Sequence, residues 1–124
     1  RHPVEVPASQ QAHLVAWLSK RLGTELKAPK LSGMGYDLVG GRLLSEGALP
    51  AAQFMYEDST GKRLTLYVRA TDHQEDTAFQ YAETENVSAF YWIDQRYAYA
   101  MVAPLDKEAL TDLATVVYRS LEAN

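Results

Sequence analysis

The chain has 124 residues, 47% of them hydrophobic and 10% aromatic, and its 12 basic and 16 acidic side chains give a formal charge of −4. This length suits one domain rather than two, and the acidic excess argues against a nucleic-acid-binding surface. Cysteine is absent, which excludes a disulfide framework, a thiol redox switch and a cysteine-based zinc site.

Residues 1–8 contain two prolines and no periodicity, which predicts a linker ahead of a single domain at residues 9–124. At the start of the domain, Ser9 is a predicted N-cap, and aliphatic residues at helical spacing give the first helix one apolar stripe. Gly23 is predicted to end this helix as its C′ residue. Trp17 lies beside the stripe, so it either packs against the margin of a sheet or is an exposed anchor for a partner.

Beyond Gly35 the pattern changes to the two-residue period of β-strands. Strands are predicted at 36–45, 53–57, 63–69, 77–83, 87–94 and 96–103. Gly40 and Gly41 predict a bulge or bend in the first of these strands, and residues 58–61 have the composition of a tight turn. The residues at 77–83 also fit a helix, although a strand is favoured, and residues 71–76 are predicted to form a polar loop.

A closing helix is predicted after Pro104, with Asp106 as its N-cap and with apolar residues that recur at helical spacing. Two helices that have one apolar stripe each must bury those stripes, and the apolar face of the sheet is the available partner. The sequence therefore predicts a two-layer α+β domain. We expect an antiparallel sheet of five or six strands, with the N-terminal and C-terminal helices packed on one face.

The hairpin at 87–103 is the region richest in aromatic residues. Phe90 and Trp92 share one face of its first strand, and Tyr97 and Tyr99 share one face of its second strand. Aromatic rings are present on both faces of the hairpin, so one set lies beneath the helices or faces outward. Burial is favoured because large rings are buried more often than displayed. The candidate partner-binding residues are Phe90, Trp92, Tyr97, Tyr99 and Trp17.

The sequence predicts no catalytic residue, cofactor or metal site. It contains no G-x-S-x-G nucleophile motif, and its short glycine pairs do not form a phosphate-binding loop. The tightest polar cluster is the run Asp72-His73-Gln74-Glu75-Asp76. A metal or acid–base site would use His73 with Glu75 or Asp76, but a solvated loop is favoured. No apolar run reaches the ~20 residues that a membrane span requires. Because the chain begins at Arg1 rather than at Met, we expect it to be a piece of a longer polypeptide.

Eight segments spread over residues 2–121 resemble those of a known family. They are HLVAWLSKRLG (13–23), LVGGRLL (38–44), QFMYED (53–58), RLTLYVR (63–69), TAFQYA (77–82), FYWID (90–94), YAYA (97–100) and VVYRSL (116–121). Together they resemble the C-terminal extracytoplasmic domain of bacterial transmembrane anti-sigma factors. These segments are structural rather than catalytic, so the resemblance transfers no active site.

The resemblance implies a periplasmic domain of a single-pass inner-membrane protein, with the membrane anchor in a segment upstream of this chain. A cytoplasmic segment, also missing here, would bind the extracytoplasmic-function sigma factor. The implied function is that of a non-enzymatic sensor domain, which controls release of the sigma factor through regulated proteolysis and has a periplasmic protein or protease as its partner.

Two other hypotheses remain open. The first is a small periplasmic module that binds a ligand or protein on its aromatic sheet face, and homodimerisation through a sheet edge belongs to the same class. The second is a small hydrolase or metal enzyme centred on His73.

Overall fold

The computed structural model describes residues 6–7, 11–23, 26–44, 50–70, 79–94 and 97–122. These residues form two helices, α1 (Gln11–Leu22) and α2 (Lys107–Glu122). They also form seven strands: β1 (Val6–Pro7), β2 (Tyr36–Leu44), β3 (Ala51–Asp58), β4 (Arg63–Ala70), β5 (Gln80–Glu83), β6 (Ser88–Asp94) and β7 (Tyr97–Ala103). A 3-10 turn at Ser32–Met34 precedes β2.

The strands form one antiparallel sheet in the order β1-β2-β3-β4-β7-β6-β5. Six of them have four residues or more, and with the two helices they confirm the predicted two-layer α+β class. Within the predicted linker 1–8, Val6 and Pro7 pair with Gly41 and Gly40, and the rest of that segment lies outside the described residues. The same is true of the predicted polar loop at 71–76.

The core lies between one face of the sheet and the two helices. Along β4, Leu64, Leu66 and Val68 are buried, whereas the alternating residues point to the other face. The strand register places Ala52, Phe54 and Tyr56 of β3 and the buried residues of β6 and β7 on the same face as those of β4, whereas the buried Gln53 and Met55 of β3 lie on the other face. The helices add the leucines and valine of their apolar stripes: Leu14, Leu18, Leu110, Leu113 and Val117. α1 contacts β1, β2 and β3, whereas α2 contacts β6, so each helix covers a different half of the sheet.

Capping contacts support the predicted C-terminal end of α1 and the predicted N-terminal end of α2. Gly23 has a φ of 79° and donates its N–H to the Ser19 carbonyl at 2.9 Å, as a left-handed C′ residue does. At the start of α2, Asp106 Oδ1 accepts a hydrogen bond from the Ala109 N–H at 2.9 Å, which makes Asp106 the N-cap. The other predicted cap, Ser9, lies outside the described residues.

Gly41 in β2 lets α1 approach the sheet closely. The register between β2 and β3 shifts between Leu38 and Gly40, which is the predicted bulge. A Cβ atom added at Gly41 would lie 2.8 Å from the Gln53 carbonyl oxygen and 3.1 Å from Leu14 Cδ1. Only glycine therefore fits beneath the first buried leucine of α1.

A buried tyrosine joins β3 to the loop that follows α1. Tyr56 is 1% exposed, and its hydroxyl donates a hydrogen bond to the Pro29 carbonyl at 2.7 Å. Burial raises the pKa of Tyr56 well above its usual value of 10. The folded state therefore holds the neutral phenol, since the phenolate would be desolvated.

We expect Gly41→Ala to lower the free energy of unfolding by about 1–3 kcal/mol. The reason is that the new methyl group collides with the Gln53 carbonyl of β3 and with Leu14 of α1, which must both shift. The matched control is Gly33→Ala, where no heavy atom lies within 4 Å of the added Cβ. Urea denaturation of the purified domain measures both changes. Equal stability of the two variants would contradict the close approach of α1 at Gly41.

Ionisation of Tyr56 should make the fold sensitive to alkaline pH. Below about pH 10, Tyr56 is neutral in both the folded and the unfolded state, and its full contribution to the free energy of unfolding is present. Above that pH the unfolded state loses the proton first, so the free energy of unfolding falls by at most about 1.4 kcal/mol per pH unit. Tyr56→Phe removes this contribution, so its unfolding free energy should fall less steeply above pH 10 than that of the wild type. Urea denaturation at pH 7 to 11.5 measures the slope, and Tyr91→Phe, at a 42% exposed ring, is the control. Parallel curves for wild type and Tyr56→Phe would refute this prediction.

Candidate functional site

The structure places Phe90 and Trp92 in the core, 4% and 2% exposed. The Trp92 ring stacks on Tyr99 at a centroid distance of 5.2 Å, and Tyr118 of α2 packs edge-on at 6.4 Å. A partner could reach either ring only by displacing the elements above it. Both residues belong to the face that the helices cover, and their role as partner-binding candidates stays a prediction.

Tyr97 and Tyr99 lie on the same face, partly buried against the core. Burial, with smaller contributions from Asp94 and Tyr97, raises the pKa of Tyr99 to about 12. Trp17 is also partly buried, and its ring is covered by Arg21, whose guanidinium carbon lies 5.4 Å from the ring centroid. The four hairpin aromatics therefore lie together on the face that the helices cover, and Trp17 of α1 packs against the same core cluster.

The opposite face of the sheet contains a groove that runs along β7. Its floor is Ala98 and Ala100, which lie between Tyr67 and Arg69 of β4 on one side and Tyr91 and Ile93 of β6 on the other. An alanine side chain is a single methyl group, so the longer side chains of the two flanking strands form walls. The resulting cavity has a volume of about 470 Å³ and a mostly apolar lining.

A chain of hydrogen bonds holds the β4 wall of the groove. Gln53 is 6% exposed on this face. Its Oε1 accepts a hydrogen bond from Arg42 Nε at 2.6 Å, and its Nε2 donates to the Tyr67 hydroxyl at 3.2 Å. Both polar atoms of the buried amide are thus satisfied, and the Tyr67 ring is fixed beside Ala100.

Arg69 supplies the positive charge at the rim of the groove. Its side chain is exposed and lies across from Ala98. Within the part of the chain that the structure describes, Arg69 forms no ion pair or side-chain hydrogen bond. Arg63, on the same face of the same strand, instead pairs with Glu57 at 3.0 Å. Among the described residues, the groove therefore combines apolar walls with a cation, Arg69, at its rim.

Sequence reasoning selected the aromatic face of the hairpin and missed this groove. The available signal was the alternation Tyr97-Ala98-Tyr99-Ala100, which places large rings on one face of the strand and methyl groups on the other. What the alternation alone could not reveal is that Arg69 and Tyr91, from two other strands, flank the two alanines.

Among the described residues, no group of three or more His, Asp or Glu side chains could hold a metal ion. His73, Glu75 and Asp76 lie outside those residues, so the metal or acid–base hypothesis built on them stays untested. Neither α1 nor α2 is long and apolar enough to cross a membrane.

Comparison of the chain with protein-family models, with curated proteins and with solved structures gave no match. The likeness to anti-sigma factors therefore rests on the sequence segments quoted above.

The core position of Trp92 gives a direct test against its exposed neighbour. We expect Trp92→Ala to lower the unfolding free energy by about 3–5 kcal/mol, because a buried indole is replaced by a cavity. Tyr91→Ala changes a 42% exposed ring on the opposite face and should cost less than about 1 kcal/mol. Urea denaturation followed by circular dichroism measures both, and a stable, folded Trp92→Ala domain would contradict the core assignment.

Proposed function

We propose that this chain is a non-enzymatic sensor domain. It lies in the periplasm as part of a membrane-anchored anti-sigma factor and controls release of an extracytoplasmic-function sigma factor through regulated proteolysis. The observation that carries the sensor role is the apolar groove along Ala98 and Ala100. The anti-sigma context draws its support from the sequence resemblance and from the α+β fold, which agrees with the fold that we expected.

The groove is suited to binding because it leaves apolar surface in contact with water at a concave site. Burial of that surface by a ligand is favourable by about 25 cal/mol per Å². The volume of about 470 Å³ falls within the range of small-molecule sites, about 300–1,000 Å³. Small-molecule sites of this kind combine apolar walls with a few placed polar groups, as Arg69 and the Tyr67 hydroxyl are placed here.

Binding in the groove would stabilise the pairing of β4 with β7, which connects the two halves of the sheet. The groove lies over β7 and is walled by β4 and β6, so an occupant touches strands from both halves of the sheet. A ligand that binds the folded state alone adds about 2.7 kcal/mol to its stability at a concentration 100 times its Kd. Occupancy is thereby linked to the population of opened, protease-sensitive molecules.

The docking of β1 supports a route from stability to proteolysis. Val6 and Pro7 pair with β2 at the edge of the sheet, and β1 also contacts α1. A protease that cuts in the segment leading into the domain requires that segment to leave the sheet, which is a local unfolding event. Loosening of the fold would then expose the cleavage site.

A matched pair of valine substitutions tests this function in the full-length protein in membranes. Val68 is 2% exposed on β4 opposite Tyr99 of β7, so Val68→Ala should cost about 2 kcal/mol and raise the opened population by roughly 5–30-fold. We expect faster proteolysis and higher sigma-dependent transcription. Val87→Ala, at a 37% exposed side chain, should behave as the wild type. Equal cleavage of both variants and the wild type, or of protein with and without the folded domain, would overturn the proposal.

A small periplasmic ligand-binding module without a role in proteolysis is the second candidate, and the same groove favours it. The two candidates differ in one outcome: a pure binding module keeps its cleavage rate when Val68→Ala destabilises the domain.

A further inference from the structure

We propose that the groove binds a small amphipathic carboxylate, whose apolar tail lies along Ala98 and Ala100 and whose carboxylate meets Arg69. This inference deepens the proposed sensor function, on which its biological meaning rests, by naming the class of ligand.

The shape of the groove selects a narrow, apolar tail. β4 and β6 each lie about 4.8 Å from β7, so their backbones are about 10 Å apart across the alanine floor. Tyr67 and Tyr91 face each other across Ala100, and Arg69 and Ile93 face each other across Ala98. One alkyl chain or a single ring fits between such walls. The next residue on this face of β7 is the larger Val102, opposite Thr65 of β4, which ends the alanine floor.

The charge of the groove selects an anion. Arg69 has no ion pair or side-chain hydrogen bond among the described residues. The Glu57 carboxylate on the same face is paired with Arg63, six residues along β4 from Arg69 and hence about 20 Å away. The guanidinium fork matches the two oxygens of a carboxylate. A cationic head group would instead be repelled at this rim.

The arrangement favours a carboxylate at one end of the ligand rather than along it. Arg69 lies beside the end of the floor at Ala98, next to Leu44 and Ala51, whereas Tyr67 and Tyr91 flank the other end at Ala100. The ligand therefore extends its tail from Arg69 toward the two tyrosines. Gln80 lies beside Tyr91 at this end of the groove.

Three probes with the same tail separate the contributions of charge and shape. Isothermal titration calorimetry of the 124-residue chain with octanoate, octanol and octylammonium, each below its aggregation threshold, measures the affinities. We expect saturable one-to-one binding of octanoate, weaker binding of octanol, and binding of octylammonium at least about tenfold weaker than octanoate.

Variants then assign the binding to the groove. Arg69→Gln should weaken octanoate binding by about tenfold and leave octanol unchanged. Arg63→Gln, on the same strand and face, should leave both unchanged. Ala100→Leu fills the floor and should abolish binding of both, and it retains the fold because its side chain lies on the open face. Circular dichroism and thermal melting verify that each variant is folded.

Several outcomes would overturn the inference: no saturable octanoate binding, equal affinity for octanoate and octylammonium, or unchanged octanoate binding in Arg69→Gln or Ala100→Leu. A dimer in light scattering that octanoate does not dissociate but Ala100→Leu does would also overturn it, because a second copy of the chain would then occupy the groove. If octanoate fails to bind while Val68→Ala still accelerates cleavage, the ligand class is wrong and the sensor function stands. If octanoate binds as expected while Val68→Ala leaves the cleavage rate unchanged, the proposed binding site stands and the sensor function fails.

Discussion

The pairing of β4 with β7 is the interaction on which the rest of this structure depends. Every other pair of neighbouring strands in the sheet is adjacent in sequence, whereas β5 and β6 intervene between these two. At the joint, Leu66 lies opposite Met101, and both are fully buried. α1 contacts β1, β2 and β3 on one side of this pairing, whereas α2 contacts β6 on the other side, and one core cluster spans both halves of the sheet. The joint thus requires loop closure over a long separation, a cost that the shared core offsets.

The two faces of this joint have opposite properties for a single reason. Tyr97 and Tyr99 point to the helix layer, and strand alternation then leaves Ala98 and Ala100 on the open face. The alanines therefore form a floor of methyl groups behind the two core rings. The longer side chains of β4 and β6 give the groove its depth, and Arg69 of β4 adds a cation at its rim.

The features that the sequence predicted well are those set by local chemistry. Gly23 and Asp106 cap their helices as expected, since capping depends on residues within one turn. The bulge predicted from Gly40 and Gly41 likewise occurs in β2. The short β1 gave no such signal, because two residues that include a proline cannot display a period. The groove was missed because Arg69, Ala98 and Tyr91 belong to three strands, whose order in the sheet is not their order in the chain.

The sequence by itself determined the fold class, the helix caps at Gly23 and Asp106, and most of the strands, because these follow from backbone periodicity and from contacts a few residues apart. Only the tertiary structure decided that Phe90 and Trp92 are core and that the alanines of β7 line an open groove. The physical reason is that alternation divides a strand into two faces without stating which face the helices cover. That choice depends on the combined apolar surface of all the paired strands.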